Sequence, residues 1–177
     1  LVCFSGDKLL GGAQAGLIAG KRSLIAALKS HPLARALRVD KMTLAALEAT
    51  LKMCLDPDES TKIPTLAMLL VDPMEWKEKA ENLRRQMAEA IVGLKAEVVA
   101  TESQTGGGSA PERPLPSWAV ALTGGRLSET VLEERLRRND PPVIVRTFQE
   151  RLLLDVRTIK AEQFALVVAA LKKALAD

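Results

Sequence analysis

Short apolar runs and longer amphipathic stretches alternate along this chain, and their periods separate strands from helices. Leu1-Val2-Cys3-Phe4 reads as a buried strand over residues 1–5, closed by a turn at Ser5-Gly6-Asp7. After Gly11 and Gly12, residues 15–20 predict a second short apolar strand. Lys21 to Ser30 predicts a helix with Leu24, Ala27 and Leu28 on one face; Pro32 stops it, and Leu33 to Arg38 reads as a short helical turn. Asp40 is a side-chain cap for a helix to about Leu55, with Leu44, Leu47 and Leu51 as its buried stripe. Residues 56–60, DPDES, read as a turn, followed by a short helix from Ile63 to Leu70. Asp72-Pro73 supplies an N-cap and an N1 proline. The helix it opens is expected to reach about Lys95, with Trp76, Ala80, Leu83, Met87 and Leu94 facing inward.

Beyond residue 96 the period shortens. Glu97 to Ser103 and Ser117 to Leu122 read as strands around the loop TGGGSAPERPLP, and Ser128 caps a helix to Arg138. PPVIVRTF and RLLLDVRTI are β-rich runs joined by Gln149-Glu150, which predicts a hairpin. Lys160 to Ala176 closes the chain as a helix that buries Phe164, Val167, Val168, Leu171 and Leu175. This order predicts an α/β first part and a small α+β domain whose antiparallel sheet is covered by helices. The acidic, proline-containing turn sets the domain division at residues 1–58 and 59–177.

Composition narrows the class. The 177 residues are 47% hydrophobic and 27% charged, and the net charge of +3 permits a nucleic-acid partner without requiring one. The longest apolar run, Phe164 to Leu171, is too short to cross a bilayer, and the amino end carries no signal-peptide pattern. Cys3 and Cys54 fall outside any C-x-x-C spacing, so the reading is a cytoplasmic protein with two reduced, buried thiols. His31, the one histidine, precedes Pro32 at a helix end and is expected to cap carbonyls. A Ser-His-Asp triad and a multi-histidine zinc site are thereby excluded, and no metal is expected. The chain opens on Leu rather than Met, inside an apolar strand, and reads as the carboxyl-terminal piece of something longer.

Lys8 is the candidate reactive group. A lysine at the end of a buried strand, among small residues, sheds its proton more readily than a solvated one, and a neutral amine can form a Schiff base. The neighbouring glycines allow close backbone approach to a bulky cofactor. A lysine snorkelling at a strand end is the plain alternative. Asp7 can orient that amine or serve in proton transfer, or simply make the turn. Arg35 and Arg38, three residues apart on a helical turn, can converge on one anion, against the alternative of a solvated basic turn. Gly106 to Ser109 read as a loop rather than a phosphate nest. Arg135, Arg137 and Arg138 read as a solvated helix face, with RNA phosphates as their alternative partner.

The segments FSGDKLLGGAQAGLIAGK and HPLARALRVDKMTLAALEATL resemble bacterial selenocysteine synthase, the L-seryl-tRNA(Sec) selenium transferase family. SQTGGGSAPERPLPS and RLLLDVRTI are similar to it as well, so the resemblance covers nearly the whole chain; Ala13 departs from it, where the family usually has proline. The resemblance implies the carboxyl-terminal part of a fold-type-I, pyridoxal-phosphate-dependent transferase: the end of the large domain plus the small α+β domain. It implies that Lys8 holds pyridoxal 5'-phosphate as a Schiff base. Seryl-tRNA(Sec) would then become selenocysteinyl-tRNA(Sec) through an aminoacrylyl-tRNA intermediate. Under the same resemblance Arg35 and Arg38 receive selenophosphate, Asp7 assists catalysis, and Gln14 and Arg151 are further site residues. A homo-oligomer with active sites between subunits is expected. Related pyridoxal enzymes grip a substrate carboxylate with an arginine near Arg146, Arg151 and Arg157, but an esterified carboxylate gives it nothing to grip. In the family the cofactor cup, the acid facing the pyridine nitrogen and the main tRNA-binding region lie upstream, so this chain alone is not expected to complete a cycle. A pyridoxal lyase acting on a small amino acid or amino sugar, and a non-catalytic assembly module, are the competing readings.

Overall fold

The computed structural model describes residues 1–106, 114–123 and 127–176. They form two compact units, one of Leu1–Leu70 with Gly106 and the other of Val71–Thr105 with the described residues from 114 onward.

In the first unit, strands β1 (Val2–Ser5) and β2 (Gly16–Ala19) pair antiparallel, Val2 opposite Ala19 and Ser5 opposite Gly16. Helices α1 (Arg22–Ser30), α2 (Pro32–Leu37), α3 (Lys41–Leu55), α4 (Pro57–Ser60) and α5 (Pro64–Leu70) follow. Asp40 caps α3 as expected: Oδ1 accepts the N–H groups of Met42 and Thr43 at 2.7 and 3.0 Å, and Oδ2 accepts the Thr43 hydroxyl at 2.7 Å. DPDES is a helical turn rather than an open one, because the Asp56 carboxylate accepts from the Asp58 and Glu59 N–H groups and Pro57 takes the first helical position. Since the unit runs to Leu70, α4 and α5 group with the Lys8 hairpin.

Burial here departs from the apolar pattern. Every residue of β1 is exposed, α1 buries nothing, and of the α3 stripe only Leu47 is buried. A two-stranded hairpin lacks the further strands or covering layer that would bury its faces. Cys3 is accordingly an exposed free thiol and Cys54 a half-buried one, not the two buried thiols expected. His31 serves both helices: its backbone N–H donates to the Leu28 carbonyl of α1 at 3.2 Å, as expected, and its Nδ1 accepts the Leu33 N–H at 3.2 Å to cap the start of α2. Pro32 opens a new helix at once, and that helix start has the unmet donors.

The second unit contains α6 (Pro73–Ala90), β3 (Ala96–Ser103), β4 (Leu115–Leu122), α7 (Glu129–Arg137), β5 (Arg146–Phe148), β6 (Arg151–Asp155), a 3-10 turn (Ala161–Gln163) and α8 (Phe164–Ala176). Its antiparallel sheet has the order β3-β4-β6-β5. Helix α6 stops at Ala90, short of Lys95: Ile91 is extended, and Gly93 at φ 78° reverses the chain. Leu94 reaches the core from that turn. Of PPVIVRTF only the last three residues join the sheet, while the Val143 N–H donates to the Leu136 carbonyl at 2.9 Å and holds the rest on α7. Gln149 and Glu150 form the hairpin turn with positive φ of 49° and 57°, the sense that suits the strand twist. One face of the sheet, with Val98, Val120, Leu122, Leu152 and Leu154, packs with α6, α7 and α8 residues including Leu83, Met87, Leu136, Phe164 and Leu171. Each such side chain contributes about 1.5–3 kcal/mol by leaving water. The opposite face carries Ala119, Ala121 and Leu153.

Candidate functional site

The turn bearing Lys8 is fixed from two directions. Its backbone closes on itself: the Gly6 N–H donates to the Ala15 carbonyl at 2.9 Å, the Gly12 N–H to the Gly6 carbonyl at 2.8 Å, and the Gly11 N–H to the Lys8 carbonyl at 3.0 Å. From below, helices wedge it. A Cβ on Gly6 would stand 2.6 Å from both the Ala13 carbonyl oxygen and Leu47 Cδ2 of α3. Gly11, at φ 65°, would meet Ile63 Cγ2 at 2.7 Å. Both glycines are required by close approach, and Gly11 by its left-handed backbone as well.

On this base the Lys8 ammonium donates to Asp7 Oδ2 at 2.6 Å, with the two side chains 44% and 26% exposed. That hydrogen bond is the main reason the Asp7 carboxyl is held below the usual carboxylate range. The expected burial of the strand leading to Lys8 is absent, so what sets the amine's surroundings is the carboxylate beside it. Gln14 sits exposed on the bend that returns the chain to β2.

Arg35 lies in the last turn of α2 and Arg38 is its C-cap, both exposed. Neither side chain makes an ion pair or hydrogen bond among the described residues, and the same holds for the side chains of Lys21, Arg22 and Lys29. From Lys8 to Val39 the chain has six lysines and arginines and no acidic residue. Past Lys8, which pairs with Asp7, this run of cations without a neighbouring acid is a signal legible in the sequence. No hydrogen bond or ion pair links Arg35 or Arg38 to Lys8 or Asp7.

Six arginines of the second unit are engaged. Arg151 pairs with Glu97 at 2.7 Å, and Arg146 donates to the Glu102 carbonyl at 3.0 Å and to Thr101 Oγ1 at 2.6 Å. Arg157 is buried over the Trp76 ring and donates to the Pro116 carbonyl. Arg135 donates to the Ala174 carbonyl at 2.8 Å, and Arg137 and Arg138 pair with Glu133 and Glu134 on α7. Gly107 to Ser109 lie outside the described residues. Among the described residues no group of histidine, cysteine and carboxylate side chains is arranged to hold a metal ion. No helix among them is long and apolar enough to cross a membrane.

Against known proteins, the family model described as L-seryl-tRNA selenium transferase matches residues 1–160. The L-seryl-tRNA(Sec) selenium transferase of Moorella thermoacetica is 48% identical over 99% of this chain and 38% of its own length. That of Aquifex aeolicus is 43% identical over 99% of this chain and 38% of its own. The chain thus spans about 38% of the length of these curated relatives. The solved structure of D-glucosaminate-6-phosphate ammonia-lyase shares the fold, with a TM-score of 0.57 at 23% identity over 99% of this chain and 44% of that one. With the family pattern running from the Lys8 turn through β6 at such identity, the chain belongs to the L-seryl-tRNA selenium transferase family.

Proposed function

We propose that this chain is the carboxyl-terminal part of a pyridoxal-phosphate-dependent enzyme that converts seryl-tRNA(Sec) to selenocysteinyl-tRNA(Sec) with selenophosphate. The observation that carries this reading is the Lys8 amine, exposed on a turn locked by three backbone hydrogen bonds and beside Asp7 at 2.6 Å, in a chain of this family.

The residues fit an aldehyde cofactor. Covalent capture needs an accessible amine on an immobile base with little bulk around it, and Lys8 between Gly6, Gly11 and Gly12 meets all three conditions. Lys8 would hold the cofactor, which when bound supplies an electron sink for charge developing on the seryl α-carbon. The Lys8 Nζ, when free, is the group placed to hold the α-proton, and Asp7, ionised at neutral pH, orients it. Arg35 and Arg38 offer uncommitted guanidinium forks, whose paired donors suit the oxygens of selenophosphate. The acid-free cations around them favour a polyanionic partner such as tRNA. Gln14 would add an amide donor at the same turn, while the Glu97 pairing of Arg151 suits that residue to positioning. The reading includes a cytoplasmic homo-oligomer with active sites between subunits.

The experiment is borohydride reduction of the full-length enzyme loaded with pyridoxal phosphate, followed by peptide mapping. The pyridoxyl group is expected on Lys8, and Lys8→Ala should form no selenocysteinyl-tRNA. An adduct on Lys21 or Lys41 overturns the assignment.

A further inference from the structure

The outer face of the four-stranded sheet carries Arg146 and Phe148, which the reading above does not use. Pairing sets Arg146 opposite Leu153 and Phe148 opposite Arg151. Thr147 between them turns the other way, its hydroxyl donating to Glu133 Oε2 of α7 at 2.8 Å. Alternation therefore puts Arg146, Phe148, Arg151 and Leu153 together on the side away from the helices. With Thr101 and Glu102 of β3 they line a cavity of about 350 Å³.

Its floor is apolar, made by half-buried Val99 and buried Leu153. Long arginine side chains can lie flat across such a floor. The Arg146 fork is taken by the Glu102 carbonyl and Thr101 Oγ1, and Arg151 by Glu97. A free anion would need those committed edges, whereas a flat heterocycle needs only the guanidinium faces. Phe148, 57% exposed, stands at the rim, and the left-handed residues Gln149 and Glu150 hold the turn beside it. An open aromatic ring beside arginine planes, with the Gln149 amide at hand for a base edge, is the chemistry that receives an unstacked nucleobase.

We propose that this cavity binds one unpaired nucleotide of the RNA substrate, with Phe148 stacking on the base. The proposal rests on seryl-tRNA being the substrate. The single-stranded 3' end bearing the seryl group is the stretch of that RNA whose bases are free to stack on protein. Gln149 meets the base edge, and Arg146 and Arg151 flank its plane.

The test uses the full-length enzyme, with a CCA trinucleotide and seryl-tRNA as probes. Phe148→Ala should weaken trinucleotide binding and raise the KM for seryl-tRNA by roughly tenfold to a hundredfold, the loss expected for one stacked base. Phe148→Trp should restore both, while thermal unfolding, cofactor absorbance and the selenophosphate KM stay unchanged. Unaltered trinucleotide binding in Phe148→Ala overturns the proposal, as does displacement of the trinucleotide by inorganic phosphate. A wild-type enzyme that makes no selenocysteinyl-tRNA overturns the parent reading instead, and the trinucleotide titration still decides the cavity.

Discussion

Replacing Arg35 with alanine isolates the proposed selenophosphate contact. Arg35 is exposed and bonds to no described residue, so its removal orphans no buried partner. The fold loses only a favourable cation in the last turn of a six-residue helix, worth about 0.3–1 kcal/mol. A charge-assisted hydrogen bond to the ligand is worth about 1.5–3 kcal/mol, a factor of roughly ten to a hundred in affinity. Arg38→Ala should cost as much. The double variant should cost less than the sum, because both forks would hold the same anion. Arg35→Lys should recover only part, since a point charge lacks the paired donors. The assay is single-turnover formation of selenocysteinyl-tRNA by the full-length enzyme against selenophosphate concentration, at saturating seryl-tRNA. The curve should move to higher concentration by that factor, with cofactor absorbance and seryl-tRNA dependence unchanged. Wild-type selenophosphate dependence in both alanine variants refutes the clamp. A shift in seryl-tRNA dependence instead assigns the two arginines to an RNA surface with Lys21, Arg22 and Lys29.

Two further outcomes follow from local geometry. Gly6→Ala places a Cβ 2.6 Å from the Ala13 carbonyl oxygen, so the Lys8 turn must shift at a cost of about 1–3 kcal/mol. Cofactor titration of the full-length enzyme should show weakened loading, while Gly16→Ala, with open space around it, should load normally; equal loading by both removes the wedge from the argument. The Asp40 carboxyl is held below its usual value, first by the Thr43 N–H and then by the Thr43 hydroxyl. Its folded pKa is depressed, so its stabilisation is complete above the unfolded value near about 4 and is lost as pH falls through the lower folded one. Amide-exchange protection at the start of α3 should decline over that acid window, and Asp40→Asn should abolish the pH dependence. Protection lost on raising the pH would show the sign to be wrong.

Much of the second unit was legible because its signals are local. Trp76, Ala80, Leu83 and Met87 mark one face of a long helix, and all four are buried. Asp40, Asp72 and Ser128 announce helix starts and cap them. Where the reading slipped, the deciding contact was elsewhere in the chain. An apolar run such as Leu1 to Phe4 marks a strand, but its burial depends on layers above and below that no local pattern supplies. Val143 to Val145 are as β-prone as any strand, yet they lie against α7, leaving β5 only three residues. The site divides the same way. Lys8 and Asp7 are adjacent, so their pairing was readable. The support from Leu47 and Ile63 was not, and Phe148 looked like one more apolar strand residue until register assigned its face.

The wedge under Lys8 also sets an order of events. The β1–β2 hairpin is a short-range structure, able to close soon after Ala19 is made. Leu47 and Ile63, which crowd Gly6 and Gly11 from beneath, arrive much later in synthesis. A nascent chain therefore presents its lysine first on an unsupported turn, and only completion of α3 and arrival of the residues leading into α5 press that turn into shape. Under the function proposed above, capture of a cofactor by Lys8 would be among the last steps of the unit's maturation, timed by residues that pack under the turn rather than beside the amine.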